Sequence, residues 1–270
     1  MNPDLALLAE VAGEIETLVT EADFTTAKDR NGGPPDLSSI ALKFLTNTRP
    51  HLRLSHGADC SLQKWFSHMD PDEARGKDFG SRITFAMGDL WEALFLHILK
   101  EELADHPWIE WVEGSEQMEV VVNGIRGHID GLIKARGTYI LLDPKCSTSF
   151  AMKHYEQGRV PDRKWGYRHQ AGNYLTGLRG MDPPIEAVGM IWPVWARDKG
   201  YMHLGFASYD EVVDYCALAI EDYDRALMGM DPPEPCNPCR TKSPCRASKN
   251  GKIYCDFYEH CCRVFPTEEN

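Results

Sequence analysis

Two acids and a lysine stand where a tight β-hairpin would bring them together. Gly127-His128-Ile129-Asp130 leads through Gly131–Ala135 to Arg136-Gly137, and Thr138–Leu142 then leads to Asp143-Pro144-Lys145. A two-residue turn at Arg136-Gly137 pairs Ala135 with Thr138. The same register sets Asp130 opposite Asp143 and His128 opposite Lys145. Strand period two keeps Asp143 and Lys145 on one face, and His128 and Asp130 on one face. Opposed side chains lie about 5 Å apart at Cβ. Two carboxylates that close repel unless a cation or a proton sits between them. A hard divalent ion with oxygen ligands is the natural resident. Lys145 beside it would steady a phosphate or orient an attacking water. Pro144 has no N–H for a ladder, so the strand is expected to end or bulge there and leave the site open. The plain alternative is an exposed hairpin with solvated acids.

The elements that must hold these residues follow from periodicity. Helical spacing runs over residues 3–22, and a short helix is expected at Leu37–Leu45 beyond the Asn31–Pro35 break. Another short helix is expected over Cys60–Phe66, with a polar loop over residues 70–80. From Phe85 to Leu103 the apolar stripe Trp91, Phe95, Ile98 and Leu99 predicts a longer helix. Glu116–Ile125 alternates, Ile125–Ile133 reads as its continuation in strand, and Tyr139–Leu142 as the next strand. Tyr167–Leu178 is amphipathic. Ile185–Trp195 and Tyr201–Ala207 read as two more strands. Ser208-Tyr209-Asp210-Glu211 has the spacing of a capping box and opens a helix over Tyr209–Leu227. The alternation of helices with strand pairs predicts an α/β fold with a mixed sheet flanked by helices.

The chain has 270 residues and a net charge of −12, with 43% hydrophobic and 26% charged residues. This is ordinary for a globular protein and excludes a uniformly basic nucleic-acid coat. No run approaches the roughly 20 apolar residues of a membrane helix, and the start lacks a signal-peptide pattern, so a cytoplasmic, non-membrane protein is expected. The charge is uneven. Residues 151–170 carry Lys153, Arg159, Arg163, Lys164 and Arg168 against two acids, and residues 236–255 carry five cations and no acid. Trp165, Tyr167 and Tyr174 interleave with the first segment, as a stacking platform for single strands would require. Six of the nine cysteines fall within residues 236–270, as Cys236-x2-Cys239-x5-Cys245, Cys255-x5-Cys261 and Cys262. In a reducing compartment that bias reads as metal or Fe–S binding. Cys216 lies on an apolar helix stripe and reads as core.

Asp130 followed by Asp143-x-Lys145 resembles the PD-(D/E)xK nuclease core, in which an acidic helix, a hairpin and a lysine hold metal at the scissile phosphate. Gly88-Asp89-Leu90-Trp91-Glu92 resembles the helical metal-ligand position of that family; RecB-type members often have His where Glu92 stands. Gln170-Ala171-Gly172-Asn173-Tyr174 resembles the RecB-type QxxxY motif, whose spacing sets both side chains on one helix face. Cys60 upstream with Cys236, Cys239 and Cys245 downstream is similar to the Fe–S-stapled nucleases, namely the AddB nuclease domain and the CRISPR-associated exonucleases. That resemblance implies a 4Fe–4S cluster held by four thiolates. Cys255 and Cys261 resemble the family's last pair equally well, so Cys60, one of Cys236, Cys239 or Cys245, Cys255 and Cys261 is a second possible set. A purely C-terminal zinc site is a third.

The resemblance covers about residues 52–262. It implies a restriction-endonuclease-like core over 51–235, a helical extension over 1–50, and a Cys-rich metal-bound segment over 236–270 packed on the core through Cys60. It implies a Mg²⁺- or Mn²⁺-dependent DNA exonuclease of phages and prokaryotes. Glu92, Asp130 and Asp143 would be the metal ligands, with the Cys146 carbonyl in reach, and Lys145 would act on water and charge. Gln170, Tyr174, Lys164 and Arg168 would contact DNA, with single-stranded ends the expected partner. Two other readings stand beside it. One is a catalytically inactive nucleic-acid-binding accessory protein with a zinc module on a nuclease fold. The other is a metal-stabilised assembly subunit.

Overall fold

The computed structural model describes residues 2–22, 52–56, 59–76, 78–149, 152, 166–233, 255 and 257–264. The expected helix at Leu37–Leu45 lies outside these residues, as do Lys164, Trp165, Cys236, Cys239 and Cys245. Six helices are described: α1 (Pro3–Glu21), α2 (Ser61–Met69), α3 (Phe79–Leu103), α4 (Tyr167–Arg179), α5 (Tyr209–Leu227) and α6 (Tyr258–Val264). Eight strands accompany them: β1 (Ile109–Trp111), β2 (Glu119–Val122), β3 (Ile125–His128), β4 (Gly131–Ala135), β5 (Thr138–Leu142), β6 (Lys145–Ser147), β7 (Gly189–Ala196) and β8 (Tyr201–Ser208).

The architecture is mixed α/β. A central six-stranded sheet runs β1-β4-β5-β7, with β6 following β5 along the same side of β7 and β8 on its other side. β5 and β6 both pair β7 in parallel; the other pairings are antiparallel. Side chains alternate between two cores, one on each face of the sheet. Met190, Trp192, Val194 and Ala196 of β7 join Leu132, Leu141, Tyr174, Leu175 and Val212 under α4 and α5. Ile191 of β7 joins Ile133, Ile140 and Leu142 with Leu8, Ile15, Trp91, Phe95 and Leu99, under α1 and α3. A sheet covered by helices on both faces explains why β7 is apolar at nearly every position and shows no alternation in its sequence. α1 belongs to this layer: Leu8, Val11, Ile15 and Val19 are buried, and Arg136 at the β4–β5 turn pairs with Glu10.

Several boundaries differ from the sequence reading: β1 was not expected, and the strand expected from Ile185 begins at Gly189. α3 begins at Phe79 rather than Phe85, because Asp78 caps it through a 2.6 Å bond from Ser81 N–H. The stretch expected to continue as one strand through Ile133 instead contains a hairpin, β2–β3, turning at Asn123-Gly124 with both residues at positive φ. Asn-Gly is a strong signal for a type I′ turn, and it was present in the sequence. β3 therefore belongs to a separate two-stranded sheet, and the chain, which left the central sheet after β1, returns to it at Gly131.

Candidate active site

The β4–β5 hairpin has the register expected of it. Gly131 pairs Leu142 and Ala135 pairs Thr138, about a turn with Arg136 and Gly137 at φ 49° and 84°. Asp130 and Asp143 are the next residues on each strand, just past the last ladder pair. His128 does not lie opposite Lys145. It pairs with Glu119 in the small sheet, because the chain bends between β3 and β4. Asp130 sits at that bend.

Beyond Leu142 the strand breaks and resumes. Leu142 pairs with Ile191, Lys145 with Val194 and Ser147 with Ala196, so β6 keeps the register of β5. Asp143 N–H still donates to the Ile191 carbonyl at 3.1 Å. Pro144 has no N–H to give, and the ladder is interrupted there. The expected break is thus present, and it falls at Pro144, between Asp143 and Lys145.

Strand parity puts Asp143 and Lys145 on the α4 face, together with Leu141. Lys145 Nζ donates to Asp143 Oδ1 at 2.6 Å, and Gln170 Nε2 donates to the same oxygen at 3.1 Å. Asp143 is buried, and among the described residues its Oδ2 has no hydrogen-bond partner. Burial pushes the Asp130 carboxyl well above the usual carboxylate range, and the Asp143 and Glu92 carboxylates push it further; Lys145 opposes them. Burial works against the charge of Lys145, but Asp143 and then Asp130 outweigh it and hold the ammonium protonated above its ordinary range. The Lys145 ammonium also lies 5.5 Å from the centre of the Tyr167 ring.

α4 brings Gln170 and Tyr174 onto this cluster from one helix face. Tyr174 is buried, and its phenol is pushed up to about 12 by burial, then by Asp143 and Asp130, with Lys145 and a hydrogen bond to Gln170 acting the other way. The helix can approach because Gly172 has no side chain: a Cβ there would lie 2.3 Å from the Val212 carbonyl oxygen of α5. Arg168 is half-buried two residues before Gln170, which starts its side chain about 200° around the helix from that face. Asn173, also buried, donates to the Leu54 carbonyl at 2.7 Å and to the Tyr223 hydroxyl at 3.1 Å, fastening the segment before α2 to α4. A lone asparagine inside a helical stretch carried no sequence signal for that role.

Glu92 arrives from the other layer. α3 packs under the opposite face of the sheet, yet the Glu92 carboxylate is near enough to raise Asp130. Cys146, on β6 between these layers, turns its side chain into the α3 core beside Arg197. Burial raises its thiol and Arg197 partly offsets this.

Two features suit a hard cation here. One Asp143 oxygen accepts from neither Lys145 nor Gln170, and Asp130, hydrogen-bonded to Asp143, is crowded by two further acids that only a proton or a cation relieves. No group of three His, Cys, Asp or Glu among the described residues stands in finished metal-binding geometry. Asp143 is instead engaged by Lys145 and Gln170.

The cysteines divide. Cys255 and Cys261 are buried with Leu62, Phe66 and Phe257, and Cys60 packs against the same cluster while capping α2 through a 3.3 Å contact from Gln63 N–H. The Phe66 and Phe257 rings are stacked at 5.7 Å. α6 is thereby joined to the helix that follows Cys60. Cys216 is buried between α4 and α5, as expected of a core residue.

Fold and site together define a mixed α/β protein with a buried acid–lysine cluster at a break in its central sheet. No family model matches the chain, and neither does any curated protein. Among solved structures, one described as the crystal structure of SSO0001 is similar, with 14% identity and a TM-score of 0.41, over 73% of this chain and 86% of that one. A likeness this slight carries nothing about activity. No helix among the described residues is long and apolar enough to cross a membrane.

Proposed function

We propose that the chain is a metal-dependent deoxyribonuclease of the PD-(D/E)xK type, acting as an exonuclease on DNA with single-stranded ends. The observation that carries this reading is the close pairing of half-buried Asp130 with buried Asp143, whose Oδ1 accepts from Lys145 and Gln170. Glu92, Asp130 and Asp143 would hold one or two Mg²⁺ or Mn²⁺ ions. When bound, such ions polarise the phosphate and lower the pKa of water. The chain's own groups do the rest. The Lys145 ammonium, kept charged by Asp143, offsets negative charge that builds on the phosphate and orients the incoming water. Gln170 fixes the Asp143 carboxylate, and Tyr174 closes the cluster from solvent while remaining protonated. For the cysteine-rich segment we propose a 4Fe–4S cluster. The convergence of Cys60, Cys255 and Cys261 on one apolar cluster favours the set that uses these three with a fourth thiolate from Cys236, Cys239 or Cys245.

Lys145→Ala tests the site. It is expected to abolish Mn²⁺-dependent cleavage of single-stranded and duplex DNA while leaving DNA binding nearly unchanged. Full cleavage by the variant would refute the assignment. Binding without cleavage by the wild-type protein, across Mg²⁺, Mn²⁺ and Zn²⁺, would point instead to a non-catalytic nucleic-acid-binding protein.

A further inference from the structure

Glu92 is the one acid of the cluster that comes from the opposite layer, so its place depends on how α3 is fastened to the sheet. No residue from Phe79 to Leu90 is buried. Trp91 is the first that is, immediately before Glu92. Its ring stacks on Trp195 of β7, with centroids 5.3 Å apart and planes 26° apart, and tilts against Phe95 at 5.6 Å. Trp195 is the ladder partner of Cys146, the neighbour of Lys145 on β6. The stack therefore joins the helix turn that bears Glu92 to the strands that bear Asp143 and Lys145. Trp91 Nε1 is buried with no hydrogen-bond partner among the described residues, so ring contact rather than a bond from its indole N–H places this side chain.

We infer that Trp195, through its stack with Trp91, is a positioning residue that holds Glu92 towards Asp130 and so sets the divalent-ion affinity of the site. The inference rests on the metal-dependent reading proposed above. Trimming the indole removes the flat surface on which Trp91 rests. The Glu92 turn then shifts, while Asp143, Lys145 and Gln170, held by their own bonds on the other face, stay in place. Outer residues that orient metal ligands commonly affect affinity by about 10- to 100-fold.

The test uses the full-length protein stripped of divalent ions and titrated with Mn²⁺ by calorimetry, alongside cleavage at saturating Mn²⁺. Trp195→Leu is expected to weaken Mn²⁺ binding about tenfold, to leave the maximal cleavage rate close to wild type, and to abolish the circular-dichroism signal of the coupled indoles. Trp195→Phe, which keeps a flat ring, is expected to restore the affinity. A folded Trp195→Leu protein with wild-type Mn²⁺ affinity and only a lower Tm overturns the inference, as does a Trp195→Phe protein as weak as Trp195→Leu. If Trp195→Leu does not fold, Trp195→Met gives the same reading with a flexible side chain. Absence of Mn²⁺ binding by the wild-type protein would instead defeat the metal-dependent reading itself, and this inference with it.

Discussion

Replacing Asp130 by Asn should stabilise the protein while removing its activity. Asp130 is half-buried near Asp143 and Glu92, and desolvation with these two acids holds its carboxyl well above the usual range. Without a divalent ion, the folded state keeps this proton to higher pH than the unfolded chain does. Folding stability therefore falls as pH rises from the ordinary carboxylate value, near ~4, through the raised folded value, and the penalty is absent below that window. Two unit charges about 5 Å apart in a medium of effective dielectric about 20 repel by about 3 kcal/mol. Lys145, at 2.6 Å from Asp143, offsets part of this. A gain of about 2 kcal/mol for Asp130→Asn at pH 8 is expected, or about 4 °C in Tm for a chain of this size. The measurement is urea and thermal denaturation of both proteins at pH 4 to 8.5 in EDTA, repeated with Mn²⁺. The gap should shrink toward low pH, and Mn²⁺ should raise the stability of the wild type more than that of the variant. A variant less stable than wild type at pH 8, or a gap that does not change with pH, would show that the acids are not forced together.

Two further outcomes concern contacts between distant parts of the chain. Lys64 of α2 is buried 2.6 Å from Asp222 of α5. Asp222→Ala removes an ion-pair partner from the buried ammonium and should cost about 3 kcal/mol, whereas Lys64→Met should cost well under that, by urea titration; equal costs would show that the pair is solvated. Protein purified without oxygen should be brown with a broad absorbance band near ~400 nm, lost in Cys255→Ala and Cys261→Ala variants. A colourless, zinc-containing sample would transfer these cysteines to a zinc site.

Much of the acid–lysine cluster was legible because hairpin register is a local property. The two-residue turn at Arg136-Gly137 dictates every pair back to Gly131 with Leu142, and strand period two puts Asp143 and Lys145 on one face. The capping box at Ser208 and Glu211 likewise located the start of α5, since both partners lie within one turn. His128 was misplaced because that local rule was extended past Asp130. The bend there depends on the β2–β3 hairpin packing on α4, where Val120 and Val122 meet Gly177. The start of α3 was missed by six residues because its first turns bury nothing, so no apolar stripe marks them.

What the chain determined by itself was the local geometry: turn types, helix caps, and the pairing of neighbouring strands, all set by interactions a few residues apart. Only the tertiary structure decided that β6 resumes the register of β5 on β7, that Gln170 reaches Asp143 across 27 residues, and that Cys60 meets Cys255 and Cys261. It also decided that Glu92 approaches Asp130 from the far side of the sheet. Those contacts come from packing two helical layers against one sheet. Each is specified by burial summed over many distant residues, which no short stretch of sequence records.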